Sequence, residues 1–364
     1  MFTSVRRCTG DLACEVLILT CFGDLLPDRQ LYLGMGTMIV KETIRSWKDV
    51  SAPGDTCRRF GDTPIRVPLP GRSIPRLFHT VSREFGFSNR LKSILISIYL
   101  LELVGASAIT TLGCVACTLL QIEWGLSAPL WFAGYLFVYN ADRLQLDPAD
   151  RLNTPLRFSW ERRLRGCRIA LVWISAVVLG MWPVLTGRFW LLFPLAFAAG
   201  LLCFYSRPIP GAGFRLKDLP YLKSLLAPAA IAIVLVPWPA LESGNVPRQR
   251  ECLVFSWIFL ILTINALIFD YRDIVGDRLN GTKTIPAGLG HRRTRGLLIL
   301  LSAALVFVSI ALSWLRLAGP FMPGTLTFGC AVLLWSLRRR APPALLSLLA
   351  DSLLFLPAIG EWLR

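Results

Sequence analysis

Two histidines in 364 residues leave almost no imidazole chemistry to this chain. A Ser–His–Asp triad or a histidine-rich metal centre has no material to draw on. Cysteine is sparse too, at 10 residues, which excludes a small disulfide scaffold. Charge is scarce: 17% of residues are Asp, Glu, Lys or Arg, against about 25% in ordinary soluble domains. Acids are the scarcer sign, 23 against 39 bases. There is no short-period repeat and no low-complexity tract. What is abundant is apolar surface, at 54% of residues, which excludes disorder for most of the chain. The net charge of +16 does not indicate a nucleic-acid binder, because Lys and Arg fall in short clusters between long apolar runs. That alternation belongs to a multi-pass membrane protein.

A spanning helix needs about 20 mostly apolar residues. Nine stretches qualify, near 94–120, 125–141, 167–186, 188–205, 222–240, 251–270, 296–315, 320–337 and 344–362. The expected fold is an all-α bundle of about nine transmembrane helices over residues 91–364. Residues 1–90 differ, being rich in charges and turn formers. Their apolar stretch, Val16 to Leu26, is short and interrupted by Asp24. With Asp11 and Glu15 before it and no small-residue cleavage site after it, it does not read as a signal peptide. Two readings of 1–90 stay open: a cytoplasmic extension of low order, or an over-extended start.

Basic residues test the span count. The loops after the second, fourth, sixth and eighth spans, with their edges, hold 20 Arg and Lys, from Arg143 and Arg168 to Arg340. The alternate loops hold only Arg188, Arg248, Arg250 and Arg316. The bias assigns the basic loops and the amino terminus to the cytoplasm.

The acids mark the chemistry. In FDYRDIVGDRLNGTKTIPAGLG, Asp270, Asp273 and Asp277 recur at i, i+3, i+7, one face of a helix. Three carboxylates on one face repel unless a cation sits among them, and an all-oxygen set suits Mg²⁺ shared with a phosphate-bearing substrate. Arg272, Arg278 and Lys283 stand beside them. A solvated helix end would look similar, but these acids close an apolar span, where acids are costly and mark function. A second cluster, YNADRLQLDPADRLNTPLR, offers Asn140, Asp142, Asp147 and Asp150 with Arg143 interleaved. Ordinary acid–base pairing in a loop explains it as readily. A third loop, YSRPIPGAGFRLKDLPYLK, brings Tyr205, Ser206, Arg207, Arg215, Lys217 and Lys223, either anion contacts or plain positive-inside bias. By charge all three loops face one side. Together they form a device in which Mg²⁺ held by Asp, helped by Arg and Lys, stabilises a diphosphate leaving group while a lipid chain lies in the bundle.

The segment DYRDIVGDRLNGTKTIP resembles the second aspartate motif of the UbiA-type intramembrane prenyltransferase superfamily. YSRP…FRLKDLPYLK is similar to that family's loop between helices 4 and 5. The resemblance covers roughly residues 90–364. It implies that Asp270, Asp273 and Asp277 are catalytic and bind Mg²⁺ and diphosphate, and that Arg215, Lys217 and Lys283 sit near the phosphates. Asn140, Arg143, Tyr205, Asn265 and Arg278 are the further substrate contacts expected. The first motif departs from the family pattern N-D-x-x-D-x-x-x-D. With Asp150 aligned to its last acid, Arg143 and Leu146 fall where acids belong. Asn140, Asp142 and Asp147 then stand in from shifted positions, and Asp142, Asp147 and Asp150 complete the expected metal-binding set.

The expectation is Mg²⁺-dependent prenyl transfer from a polyprenyl diphosphate, in the bilayer, to a small-molecule or lipid acceptor, with no role for nucleic acid. Two alternatives remain: phosphoribosyl transfer to a polyprenyl phosphate, and a non-catalytic lipid-binding or transport bundle. Cys114 and Cys117 form a CxxC inside a span and are expected to pack as small apolar residues. His291 belongs to a basic loop, and Glu102 and Asp351 are acids within spans, expected to face the interior.

Overall fold

The computed structural model describes residues 89–124, 127–144, 160, 163–187, 189, 219–243, 249–279, 281–339, 341 and 343–363. Among these every regular element is an α-helix. The span expected at 188–205 lies outside the described residues apart from Phe189, as do residues 1–88.

The expected span 94–120 is two helices, α1 (Asn89–Leu100) and α2 (Leu103–Leu120). Glu102 breaks it, with φ 64. A break frees the last carbonyls of α1, and distant side chains take them up. Asn140 Nδ2 donates to Leu101 O at 3.1 Å, and Arg168 Nη2 donates to Leu100 O at 2.9 Å. Asn140 ends α3 (Ser127–Arg143), and Arg168 begins α4 (Arg165–Leu185). Arg168, counted from sequence among the loop-edge charges, is therefore buried, with 1% of its surface exposed. Its guanidinium serves a helix terminus that only the folded chain brings to it. At the other end of α2, Arg250 Nε donates to Leu119 O at 3.0 Å.

Small residues let α2 and α3 approach. A methyl group on Gly113 would lie 2.5 Å from the Trp131 ring, and one on Gly105 would lie 2.5 Å from the Tyr135 hydroxyl. Cys114 and Cys117 lie on this helix as free thiols, Cys117 buried, in keeping with packing.

The next span is α5 (Leu222–Leu235) followed by α6 (Pro237–Glu242). Pro237 removes a backbone donor at the joint. Then come α7 (Gln249–Arg272), α8 (Ile274–Leu279) and α9 (Ile285–Trp314). The chain continues through α10 (Met322–Arg338), α11 (Pro343–Leu353) and α12 (Leu356–Trp362). Helix α7 is central, packed against α2, α5, α9 and α11. Its Trp257 is fully buried and donates through Nε1 to Ser309 Oγ on α9 at 2.9 Å, so a large ring enters the core with its polar atom satisfied.

The outer surface is apolar. Trp314, Phe307, Leu185 and Trp173 are between 68% and 84% exposed. Surfaces of that kind are not kept in water, whereas lipid accepts them provided the backbone is helical. The chain is an integral membrane protein. Five helical segments among the described residues are long and apolar enough to cross a bilayer: 103–120, 165–185, 222–241, 249–272 and 285–314. A sixth is the pair Leu345–Leu353 and Leu356–Trp362, bent by 40°. The expected spans 125–141 and 320–337 appear as 17-residue helices, α3 and α10, at the short limit of a crossing.

Candidate functional site

The ends of α3 and α7 and the starts of α5, α9 and α11 meet at one end of the bundle. Backbone hydrogen bonds fix this junction. Tyr221 N donates to Lys283 O at 2.8 Å, tying the start of α5 to the strap between α8 and α9. Tyr221 takes φ 63 to turn into α5. Thr284 caps α9, its hydroxyl accepting from Ala287 N at 3.2 Å. Gly281, with φ 70, turns the strap, and Thr282 N returns to Asp277 O at 2.8 Å.

On this scaffold the aspartates separate into two groups. Asp270 is 8% exposed and Asp277 6%, and between them lies the ammonium of Lys223. Lys223 Nζ is 2.8 Å from Asp277 Oδ1 and 3.8 Å from Asp270 Oδ1. Ser224 Oγ donates to Asp270 Oδ2 and accepts from Ile285 N at 3.2 Å. The second oxygen of Asp277, Oδ2, is buried without a hydrogen-bond partner.

Asp273 has a cation of its own. The α-helix gives out between Arg272 and Ile274, and Arg272 clasps Asp273 with Nε at 2.8 Å and Nη2 at 2.6 Å. Arg272 Nη1 also donates to Ser347 Oγ at 2.6 Å, linking α7 to α11. Burial alone would raise the Asp273 carboxyl. The adjacent Arg272 charge and its hydrogen bonds, with Lys223 and Arg143 farther off, hold it below the ordinary 3.8. The field of Arg143 thus reaches from the end of α3 to the end of α7. Arg143 Nε also lies 3.9 Å from Glu102.

The three carboxylates expected on one face pair with two cations. Two of the three share a cation, that cation is Lys223, and the third is spent on Arg272. Among the described residues no group of three or more His, Cys, Asp or Glu side chains is disposed to hold a metal ion. Of the six aspartates expected to bind metal, Asp147 and Asp150 lie outside the described residues. Tyr205, Arg215 and Lys217 also lie outside them.

The remaining expected contacts divide as well. Lys283 is exposed, two residues from the part-buried Ile285–Ser224 bond. Arg278 is exposed and donates through Nε to Ala287 O at 2.9 Å, pinning α8 to the first turn of α9. Asn140 is fully buried, with both hydrogens of its amide on carbonyls, those of Leu101 and Leu136. Asn265 lies about one turn before Asp270, its Nδ2 buried without a partner. His291 is exposed and sets its ring edge-on to Tyr271, 4.9 Å away between centroids. Sequence reasoning placed Lys223 among possible anion contacts and passed over Ser224. The signal for Ser224 was weak, because a lone serine at the head of an apolar helix resembles any N-terminal polar residue.

These observations define an integral membrane protein of packed helices with buried carboxylates and cations gathered at one end of an apolar bundle. The sequence model of the UbiA prenyltransferase family matches residues 149–347. The chain belongs to that family, whose members carry out intramembrane prenyl transfer and generally use Mg²⁺ to bind diphosphate substrates. The match begins after Asn140, Asp142 and Asp147, the part of the first motif that departs from the pattern. No curated protein and no solved structure matches the chain.

Proposed function

We propose that this protein transfers a prenyl group from a polyprenyl diphosphate to a small-molecule or lipid acceptor, with Mg²⁺, at the bundle end where Asp270 and Asp277 meet. The reading is carried by two buried carboxylates converging on one cation at the head of an apolar bundle, in a chain of this family. The donor set is all oxygen, and Asp277 Oδ2 is an unspent buried acceptor, which suits Mg²⁺. Asp270 and Asp277 would hold the ion, and Mg²⁺, when bound, supplies positive charge against the departing diphosphate.

The chain's own residues do the rest. Lys223 and Lys283, with Arg215 and Lys217 from the preceding loop, neutralise phosphate oxygens as the allylic carbon–oxygen bond ionises. Arg272 holds Asp273, and through Ser347 holds α11, so the end of α7 is set before substrate arrives. The apolar bundle keeps water from the allylic cation. We assign the chain nine spans, with the motif loops and amino terminus in the cytoplasm. Support for that comes from the 20-to-4 distribution of basic residues and from Arg143, Arg272 and Lys223 sharing one end.

The test uses membranes carrying the full chain, labelled geranyl, farnesyl and geranylgeranyl diphosphates, and a lipid extract as acceptor pool. The expected result is diphosphate release with a new labelled lipid, abolished by EDTA and reduced about 100-fold or more by Asp270→Asn. Absence of release from every donor by the folded protein would overturn it. Transfer from phosphoribosyl diphosphate to a polyprenyl phosphate in the same membranes would replace it with the phosphoribosyl reading.

A further inference from the structure

Lys223 stands where a metal ion between two carboxylates would stand. Its position is fixed from both sides. Two residues before it, Tyr221 is bonded through N to Lys283 O, and its neighbour Ser224 is bonded to both Asp270 and Ile285 N. The ammonium reaches Asp277 at 2.8 Å and Asp270 at 3.8 Å, and its side chain remains 27% exposed, so it is open to an arriving ligand. The carboxylates it serves are far less exposed, 11% and 9% on their side chains. Asp273 already has Arg272. Among these five side chains, three negative charges face two positive ones with no metal present. Asp277 Oδ2 is buried without a hydrogen-bond partner.

We propose that Lys223 is a resident cation of the site. It holds Asp270 and Asp277 in the ligand-free protein and turns its ammonium, as an ion-pair partner, to the phosphate oxygens when a metal-bound diphosphate arrives. Two carboxylates cannot give full Coulomb attraction to Lys223 and a divalent ion at once. The ligand-free protein therefore binds divalent metal weakly, and metal and diphosphate bind cooperatively. This chain's atypical first motif fits a site in which a side chain supplies one of the positive charges. The inference rests on the metal–diphosphate reading above and concerns one positioning residue within it.

The experiment is Mn²⁺ binding to the purified full chain in detergent, read by electron paramagnetic resonance without donor or acceptor. Lys223→Met is expected to bind Mn²⁺ about tenfold more tightly than wild type, because the carboxylates are freed. Lys223→Arg, which keeps the charge, should stay near wild type. A merely structural role predicts the reverse, since a loosened site binds metal less well. Unchanged or weaker binding by folded Lys223→Met overturns the proposal. So does tightening that persists in the Lys223→Met, Asp277→Asn double variant, which lacks the ligand carboxylate.

If Lys223→Met does not fold, the wild type decides. Inorganic diphosphate and Mn²⁺ together should raise its unfolding temperature by more than their separate effects summed, and simple additivity contradicts the proposal. None of these readouts needs prenyl transfer. Failure of the labelled-donor assay therefore overturns the proposed function while leaving the cation result to stand or fall alone.

Discussion

Asp273 is held by its neighbour Arg272. Arg272 meets both its oxygens, and burial, which would raise the carboxyl, is outweighed. A carboxyl lowered in the folded state stabilises the fold fully above its unfolded value, and that stability is lost as pH falls through the folded value. The unfolding temperature of the wild type should therefore drop as pH falls below the ordinary 3.8. Asp273→Asn should show less of that acid loss, a difference read by thermal unfolding in detergent between about pH 6 and pH 3. Ser224 is the opposite kind of residue, small, 1% exposed and shared between Asp270 and Ile285 N. Ser224→Ala should cost about 2 kcal/mol, because a hydrogen bond to a charged group is lost in a buried place. Chemical denaturation in detergent checks it.

At the scale of elements, periodicity showed where the helices lie but not where they break. The expected span 94–120 is interrupted at Glu102. Nothing local announces this, because the groups that satisfy the exposed carbonyls, Asn140 and Arg168, stand 39 and 68 residues away along the chain. The bend between α11 and α12 is equally silent, although Pro357 follows it. The i, i+3, i+7 spacing of the aspartates was legible, and so was their place at the end of a span. Their partition was not, because the i, i+1 clasp of Asp273 by Arg272 and the reach of Lys223 from another helix depend on tertiary placement. Close packing at Gly360 gives a test at this scale. A methyl group there would lie 2.6 Å from Met322 Cα, main chain that cannot swing aside. Gly360→Ala should lower stability by about 1–3 kcal/mol by pushing α12 off α10, measured as a fall in unfolding temperature.

At the scale of the whole molecule, the apolar outer surface and polar end of the described residues follow from a chain with little charge. With 17% charged residues, few ionisable groups need enter the bundle; among the described residues, buried Arg168 caps a helix end and buried Asp270 and Asp277 meet Lys223. The orientation proposed from the basic-loop bias puts the site on the cytoplasmic face. In a cysteine-free background, Arg293→Cys should react with an impermeant thiol reagent only after cells are permeabilised, while Arg316→Cys should react from outside. Both positions are exposed. Reaction of Arg293→Cys in intact cells would invert the orientation.

The central claim is that Asp270 and Asp277 serve the diphosphate of a prenyl donor. Its most direct test is diphosphate release by the purified chain in liposomes, wild type against Asp277→Asn, with a labelled prenyl diphosphate, acceptor lipid and Mg²⁺. The account predicts release and a prenylated product from the wild type, and a loss of about 100-fold or more in the folded variant. Equal release by both proteins, or product without any dependence on Asp277, would contradict it.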